Sequence, residues 1–138
     1  MLDYGHRASD LYDATRRDGT LRTYARHTVG ADAYVRIGRQ DLTAHVDLTA
    51  LIDAAEREGL DVLGITTQAE FLVGAGLADI VEAARTDPRT TLADQLALRA
   101  SLGRLLDPRA TGGFAVVVLG RGIPPDARLP ALEFRIRR

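Results

Sequence analysis

The 138-residue sequence contains no cysteine. Disulfides, thiolate catalysis and cysteine-ligated metals are therefore excluded. Lysine is missing as well: all eighteen basic residues are arginine, a usage that points to G+C-rich coding more than to a guanidinium-specific task. No apolar run approaches the roughly 18 residues of a membrane span, and no basic segment with an apolar core opens the chain. A soluble, cytoplasmic protein with no membrane partner is expected. Aromatics make up only 5% of the residues, and the arginines are dispersed without aromatics between them. A nucleic-acid surface is not expected from such a pattern.

What is present favours a single globular domain. A hydrophobic content of 46% over 138 residues supplies one core and hardly two. The formal charge of −1 conceals an asymmetry. Residues 1–40 carry seven arginines against five acids, residues 41–98 three against eleven, and residues 99–138 eight against three. The acidic middle reads as the solvated faces of helices.

The most regular stretch runs from Asp41 to Gly76. Asp47 is a good N-cap, since its carboxylate can accept free backbone N–H groups of a first turn. Leu48, Leu51, Ile52 and Ala55 then share a helical face, and Gly59 is the expected left-handed stop. Val62, Leu63 and Ile65 form a short buried strand ending at Thr66-Thr67. Thr67 and Glu70 have capping-box spacing, so a second helix starts there and carries Phe71 and Leu72 inward. Helix, strand and helix in this order is α/β grammar.

Elsewhere the pattern is uneven. Only Met1 and Leu2 precede Asp3-Tyr4-Gly5-His6, so the chain is expected to open inside a strand, as a truncated gene, a mis-called start codon or the second piece of a split gene would give. Residues 7–40 are polar, with a short helix expected over 10–17 and an extended piece over 21–24. Ile80, Val81 and Ala84 continue the apolar side of the helix begun at Thr67, with Gly74 and Gly76 able to break it. Thr90 or Thr91 caps a further helix to about Leu106, packed through Leu92, Leu96, Leu102, Leu105 and Leu106. Phe114 to Leu119 is an unbroken apolar run, hence a central strand. Leu132, Phe134 and Ile136 alternate with Glu133, Arg135 and Arg137, the pattern of an edge strand.

Several segments, in order, carry a family resemblance: Asp3-Tyr4-Gly5, Gly19-Thr20-Leu21-Arg22, His27, Asp41-Leu42-Thr43, Val46-Asp47, Thr66-Thr67-Gln68, Phe71-Leu72, Gly76, Leu105, Pro108 and the strand at Phe114. Together they resemble the C-terminal portion of the MidA family of class I S-adenosylmethionine (SAM)-dependent methyltransferases. The resemblance implies a Rossmann-like α/β sheet in which the Phe114 strand returns antiparallel, after a helical insertion, between the strands at Asp3 and Val62. It also implies SAM as cofactor and a protein substrate, with arginine methylation known in mitochondrial members.

The cofactor half is not legible. A SAM site in this fold needs a glycine-rich turn between a strand and a helix, and an acid at the next strand end. Gly74-Ala75-Gly76 and Gly120-Arg121-Gly122 are isolated pairs, so no cofactor-binding residue is assigned. The expected acceptor-side contacts are Asp3, Tyr4, Gly5, His6, Arg22, His27 and Gln68. Asp3 also suits a turn cap and Tyr4 a packing role. No catalytic base is identified. His6, His27 and His45 match no zinc spacing, so no metal is expected. Ser9 and Ser101 lack a nucleophile elbow. Two rivals stand beside the methyltransferase fragment: a non-catalytic α/β binding module, and a subunit completed by a separately encoded N-terminal half.

Overall fold

The computed structural model describes residues 1–26, 28–124 and 126–136. Along the chain lie β1 (Leu2–Asp3), β2 (Gly5–His6), α1 (Ala8–Leu11), β3 (Arg22–Ala25), β4 (Thr28–Gly30), β5 (Asp41–Thr43), β6 (Val46–Asp47), α2 (Leu48–Arg57), β7 (Asp61–Thr67), α3 (Gln68–Gly74), α4 (Leu77–Thr86), α5 (Leu92–Leu106), β8 (Ala115–Gly120) and α6 (Pro130–Glu133). The chain divides into two compact units. The C-terminal unit comprises Met1–Leu2 and Ala55–Arg138, the N-terminal unit Asp3–Ala54.

The C-terminal unit is built on a three-stranded sheet in the order β1, β8, β7. β7 and β8 run antiparallel. Met1 and Val117 exchange both backbone hydrogen bonds, at 2.7 and 2.9 Å, the close pair of an antiparallel ladder. The apolar run after Phe114 is thus the middle strand, as its composition predicts. Val117 is fully buried and Val116 nearly so. Along β7 the register slips by one residue: Val62 faces Leu119, but Gly64 faces Val118.

Thr67 starts α3 through the expected capping box, its Oγ1 accepting from the Glu70 N–H at 3.3 Å while Glu70 reaches back to the Thr67 N–H. Thr91 and Asp94 repeat the device at α5. The helix expected to continue from Thr67 past Ile80 is two helices. Gly76, at φ 95°, makes the left-handed break between α3 and α4, and Ile80 points to solvent. Leu92, Leu96 and Leu105 of α5 are exposed, so the expected packing face is narrower than its leucines suggest.

The edge strand expected over Leu132–Ile136 does not form. Pro130 stands at the first position of α6, where its fixed φ suits a helix start, and 134–136 follow as irregular chain. Leu132 packs where Gly64 has no side chain: a Cβ there would lie 2.9 Å from Leu132 Cδ1. Arg137 lies outside the described residues.

The N-terminal unit has smaller parts. β3 pairs antiparallel with both β4 and β5, giving a sheet in the order β4, β3, β5 that buries Thr23. β2 and β6 pair in parallel. Only Ala8–Leu11 of the polar N-terminal stretch is helical, short of the helix expected over 10–17, and turns follow to Gly19. Asp47 caps α2 as expected: its Oδ1 accepts from the N–H groups of Thr49 and Ala50 at 2.9 and 3.0 Å.

Candidate functional site

The parallel pairing of β2 with β6 sets Gly5 opposite Val46 and His6 opposite Asp47, and the Val46 N–H donates to the Tyr4 carbonyl at 3.0 Å. Tyr4 and His6 fall on one face of the strand by its two-residue period. His45 meets both. Its ring centroid lies 5.3 Å from Tyr4, edge to face, and 4.8 Å from His6 at a tilt of 31°. The other face has no room. A Cβ on Gly5 would stand 2.7 Å from the Val46 carbonyl oxygen and 3.1 Å from Leu48 Cδ2, so glycine lets the strands approach. Asp3 Oδ1 accepts from the Tyr4 N–H at 2.8 Å.

His45 is the most constrained of these side chains. Its N–H donates to Thr20 Oγ1 at 3.1 Å, and its ring Nδ1 is buried without a hydrogen-bond partner. Burial first, then the positive charge of His6, Arg16 and Arg22, pushes the imidazole below its ordinary value, with Asp3 pulling the other way. The ring is therefore neutral at pH 7. Beside it open two adjoining pockets, of about 380 and 520 Å³, that share Arg16, Arg17, Gly19, Thr20 and His45. Gly19, at φ 63°, turns the chain back towards β3 after Asp13 has tied down the preceding turn. Arg22 lines the smaller pocket, and its guanidinium donates to the Leu21 carbonyl at 2.6 Å. Tyr12 lines the larger one. A hydrogen bond to Asp47 raises its phenol above the ordinary value.

Asp3, Tyr4, Gly5, His6 and Arg22 all belong to this N-terminal unit, and the structure gathers Tyr4 and His6 about His45. His27 lies outside the described residues. Gln68 belongs to the C-terminal unit, where its side chain is 5% exposed. Its Nε2 donates to the Leu105 carbonyl at 3.0 Å and to Thr111 Oγ1 at 3.3 Å, satisfying one of the carbonyls left over at the end of α5. Its amide is thus committed to holding that end of the helix. Sequence reasoning weighed His45 only as a metal ligand, quoted Thr20 only within the resemblance and gave Arg16 no role in the site. The signal for His45 was its place just before Val46-Asp47, the strand that Tyr4-Gly5-His6 pairs with. Among the described residues no group of three metal-ligating side chains comes together.

A family model described as a putative S-adenosyl-L-methionine-dependent methyltransferase matches residues 1–66, which include the whole N-terminal unit and its pockets. The fold is similar to that of a COG1565 superfamily member from Burkholderia thailandensis bound to S-adenosyl-homocysteine, at 36% identity and a TM-score of 0.83 over 94% of this chain. This chain is related to the MidA family of methyltransferases. A second structure from Burkholderia thailandensis, of an uncharacterized COG1565 superfamily protein, agrees at 36% identity and a TM-score of 0.83 over 95% of the chain. The chain spans about one third of the length of these two solved proteins, 33% and 34%. No curated protein matches it.

The cofactor of MidA-family enzymes is SAM, and a cradle for it in this chain would have to come from one of the two glycine pairs read in the sequence. Gly74 and Gly76 join helix to helix, and a Cβ on Gly74 would lie 2.8 Å from the Pro130 carbonyl oxygen, so that glycine serves the packing of α6. Gly120 ends β8, but irregular chain follows it, and a Cβ there would meet Ile123 Cγ1 at 2.5 Å. Neither pair makes a strand–turn–helix junction with backbone N–H groups open to a ligand. Neither glycine pair fits the cofactor. Glu70, the acid just beyond β7, is also committed. Burial would raise its carboxyl, but hydrogen bonds from Thr66, the Ile136 N–H and Thr67 outweigh it and hold the group below its ordinary value.

Proposed function

We propose that this chain supplies the acceptor side of a SAM-dependent methyltransferase acting on a protein, with an arginine side chain as acceptor. The match of residues 1–66 to the methyltransferase family carries this reading, because those residues contain the His45 pockets while neither Gly74–Gly76 nor Gly120–Gly122 suits the donor. The acceptor is held by Asp3, Tyr4, His6 and Arg22 around the neutral His45 ring. Such groups orient a nucleophile, and orientation alone accounts for a large share of transfer rates. Gln68 acts only through the fold. The donor is supplied by residues outside those described, and a separately encoded partner is one source of them.

Two measurements test this. Calorimetric titration of the purified chain with SAM is expected to show no saturable heat, and a micromolar dissociation constant would move the donor site into this chain. Tritiated SAM is then added, with the chain, to an extract of cells whose own copy of the gene is disrupted. Label is expected on protein arginine, and the Asp3→Asn variant should lose most of it at an unchanged melting temperature. Label that is absent, or independent of the chain, overturns the reading.

A further inference from the structure

The arginines of the chain fall into two groups. Arg85, Arg89 and Arg128 each face a carboxylate at 2.8 Å, from Glu82, Asp87 and Glu133. Arg16, Arg17 and Arg22 have no carboxylate within salt-bridge reach among the described residues, yet all three line the pocket of about 380 Å³ beside His45. Asp18 is the single acid on that wall. Asp13, in the adjoining pocket, lies near enough for Arg16 to lower its carboxyl, but hydrogen bonds from the Thr15 hydroxyl and N–H, at 2.5 and 2.8 Å, already hold it in a turn. Thr20 completes the wall. Its hydroxyl oxygen accepts from the His45 N–H, which leaves its proton free to donate.

We propose that this pocket is an oxyanion site, in which Arg16, Arg17, Arg22 and the Thr20 hydroxyl hold a carboxylate or phosphate group carried by the acceptor. Guanidinium groups pair with such oxyanions through charge-assisted and often bidentate hydrogen bonds. Three cations against Asp18 leave the pocket short of negative charge, and an anionic ligand removes that imbalance. For the ligand's place in a protein acceptor the proposal rests on the acceptor-side reading, while the charge it selects rests on the pocket alone. An arginine to be methylated is repelled by this wall, so the anion is a neighbouring group on the same acceptor, which anchors it while the arginine stays outside the pocket.

The test uses the full chain without SAM, so its failure leaves the methyl-transfer reading standing. Inorganic phosphate and sodium acetate are titrated separately at constant ionic strength, with sodium chloride as control, and the His45 ring is followed by NMR. His45 is faced by Tyr4, His6, Asp3, Arg16 and Arg22. A bound anion adds negative charge to that set, so the ring should show a saturable shift and titrate at higher pH than in chloride. Phosphate alone acting identifies a phosphate site, and acetate acting as well identifies a carboxylate site. Arg16→Gln and Arg22→Gln, both exposed and safe for folding, should each weaken binding about tenfold, the weight of one charge-assisted hydrogen bond. Arg85→Gln in the C-terminal unit should change nothing. No saturation with either anion, or Arg16→Gln and Arg22→Gln binding like the parent, overturns the proposal.

Discussion

The two units of this chain reach order by different means. The C-terminal unit has long elements, two capping boxes and a middle strand with Val117 wholly buried. Its order is local first: α3 and α5 are each started by a side chain three residues from the group it caps. The N-terminal unit has strands of two to four residues and one helix of four beside its share of α2. Its order comes from pairings across distance, such as Gly5 with Val46 and Arg22 with Thr43. The candidate site lies in the second kind of structure. Side chains that must meet from distant positions are easier to gather by short strands than along one helix.

The largest effect expected from breaking this contrast comes from Val117→Ala. Truncating a wholly buried valine should remove about 2–3 kcal/mol through lost transfer energy and the cavity left behind. Urea unfolding read by amide exchange should report the loss at β7 and β8. An equal loss at Val46 and Thr23 would show that the two units unfold as one and would dissolve the contrast.

Gly5→Ala comes next. The new Cβ meets backbone at 2.7 Å, so the pairing of β2 and β6 must loosen, at a cost of about 1–3 kcal/mol. The Val46 amide, which donates to the Tyr4 carbonyl, should then exchange faster, and the His6 and His45 rings should separate. Unchanged exchange at Val46 would mean that Tyr4 to His6 are held by something other than this pairing.

The smallest effect is set by pH and separates the units by order of loss. His45 titrates below its ordinary value of 6.5, so the unfolded chain takes up its proton first on acidification. The stability this contributes is complete above about pH 6.5 and falls away beneath it. Glu70 lies below its ordinary 4.5, so its contribution is complete above that pH and is lost further down. The N-terminal unit should therefore loosen before the C-terminal one as pH falls. The reverse order in amide exchange, corrected for intrinsic rates, would contradict both assignments.

Legibility followed the distance between a signal and its effect more than the division into units. The cap at Asp47, the stop at Gly59, β7, the Thr67–Glu70 box and the central strand after Phe114 could be read because each signal sits within a few residues of its effect. Over 132–136 the alternation of apolar and charged residues misled, since Pro130 had already begun a turn of helix and Leu132 had a glycine to pack over. The sheet of β3, β4 and β5 was mostly invisible: its strands are three or four residues long, and only the extended piece over 21–24 showed. In the site, Asp3, Tyr4 and Arg22 came with the resemblance and His6 from its place at the end of the first strand, whereas the meeting of His45 with His6 depends on a pairing between residues 41 apart that no local pattern encodes.

The slipped register in β7 bears on inheritance. With Leu63 as the extra residue, Val62 and Ile65 lie across from Leu119 and Val117 on one face, although three positions separate them. Loss of Leu63 from the gene would leave Val62 with Leu119 and Gly64 with Val118 in an unbroken ladder, and the capping box downstream would keep its phase. The middle of this strand is therefore a point at which descendants of the chain can differ in length by one codon and still read the same partners on either side.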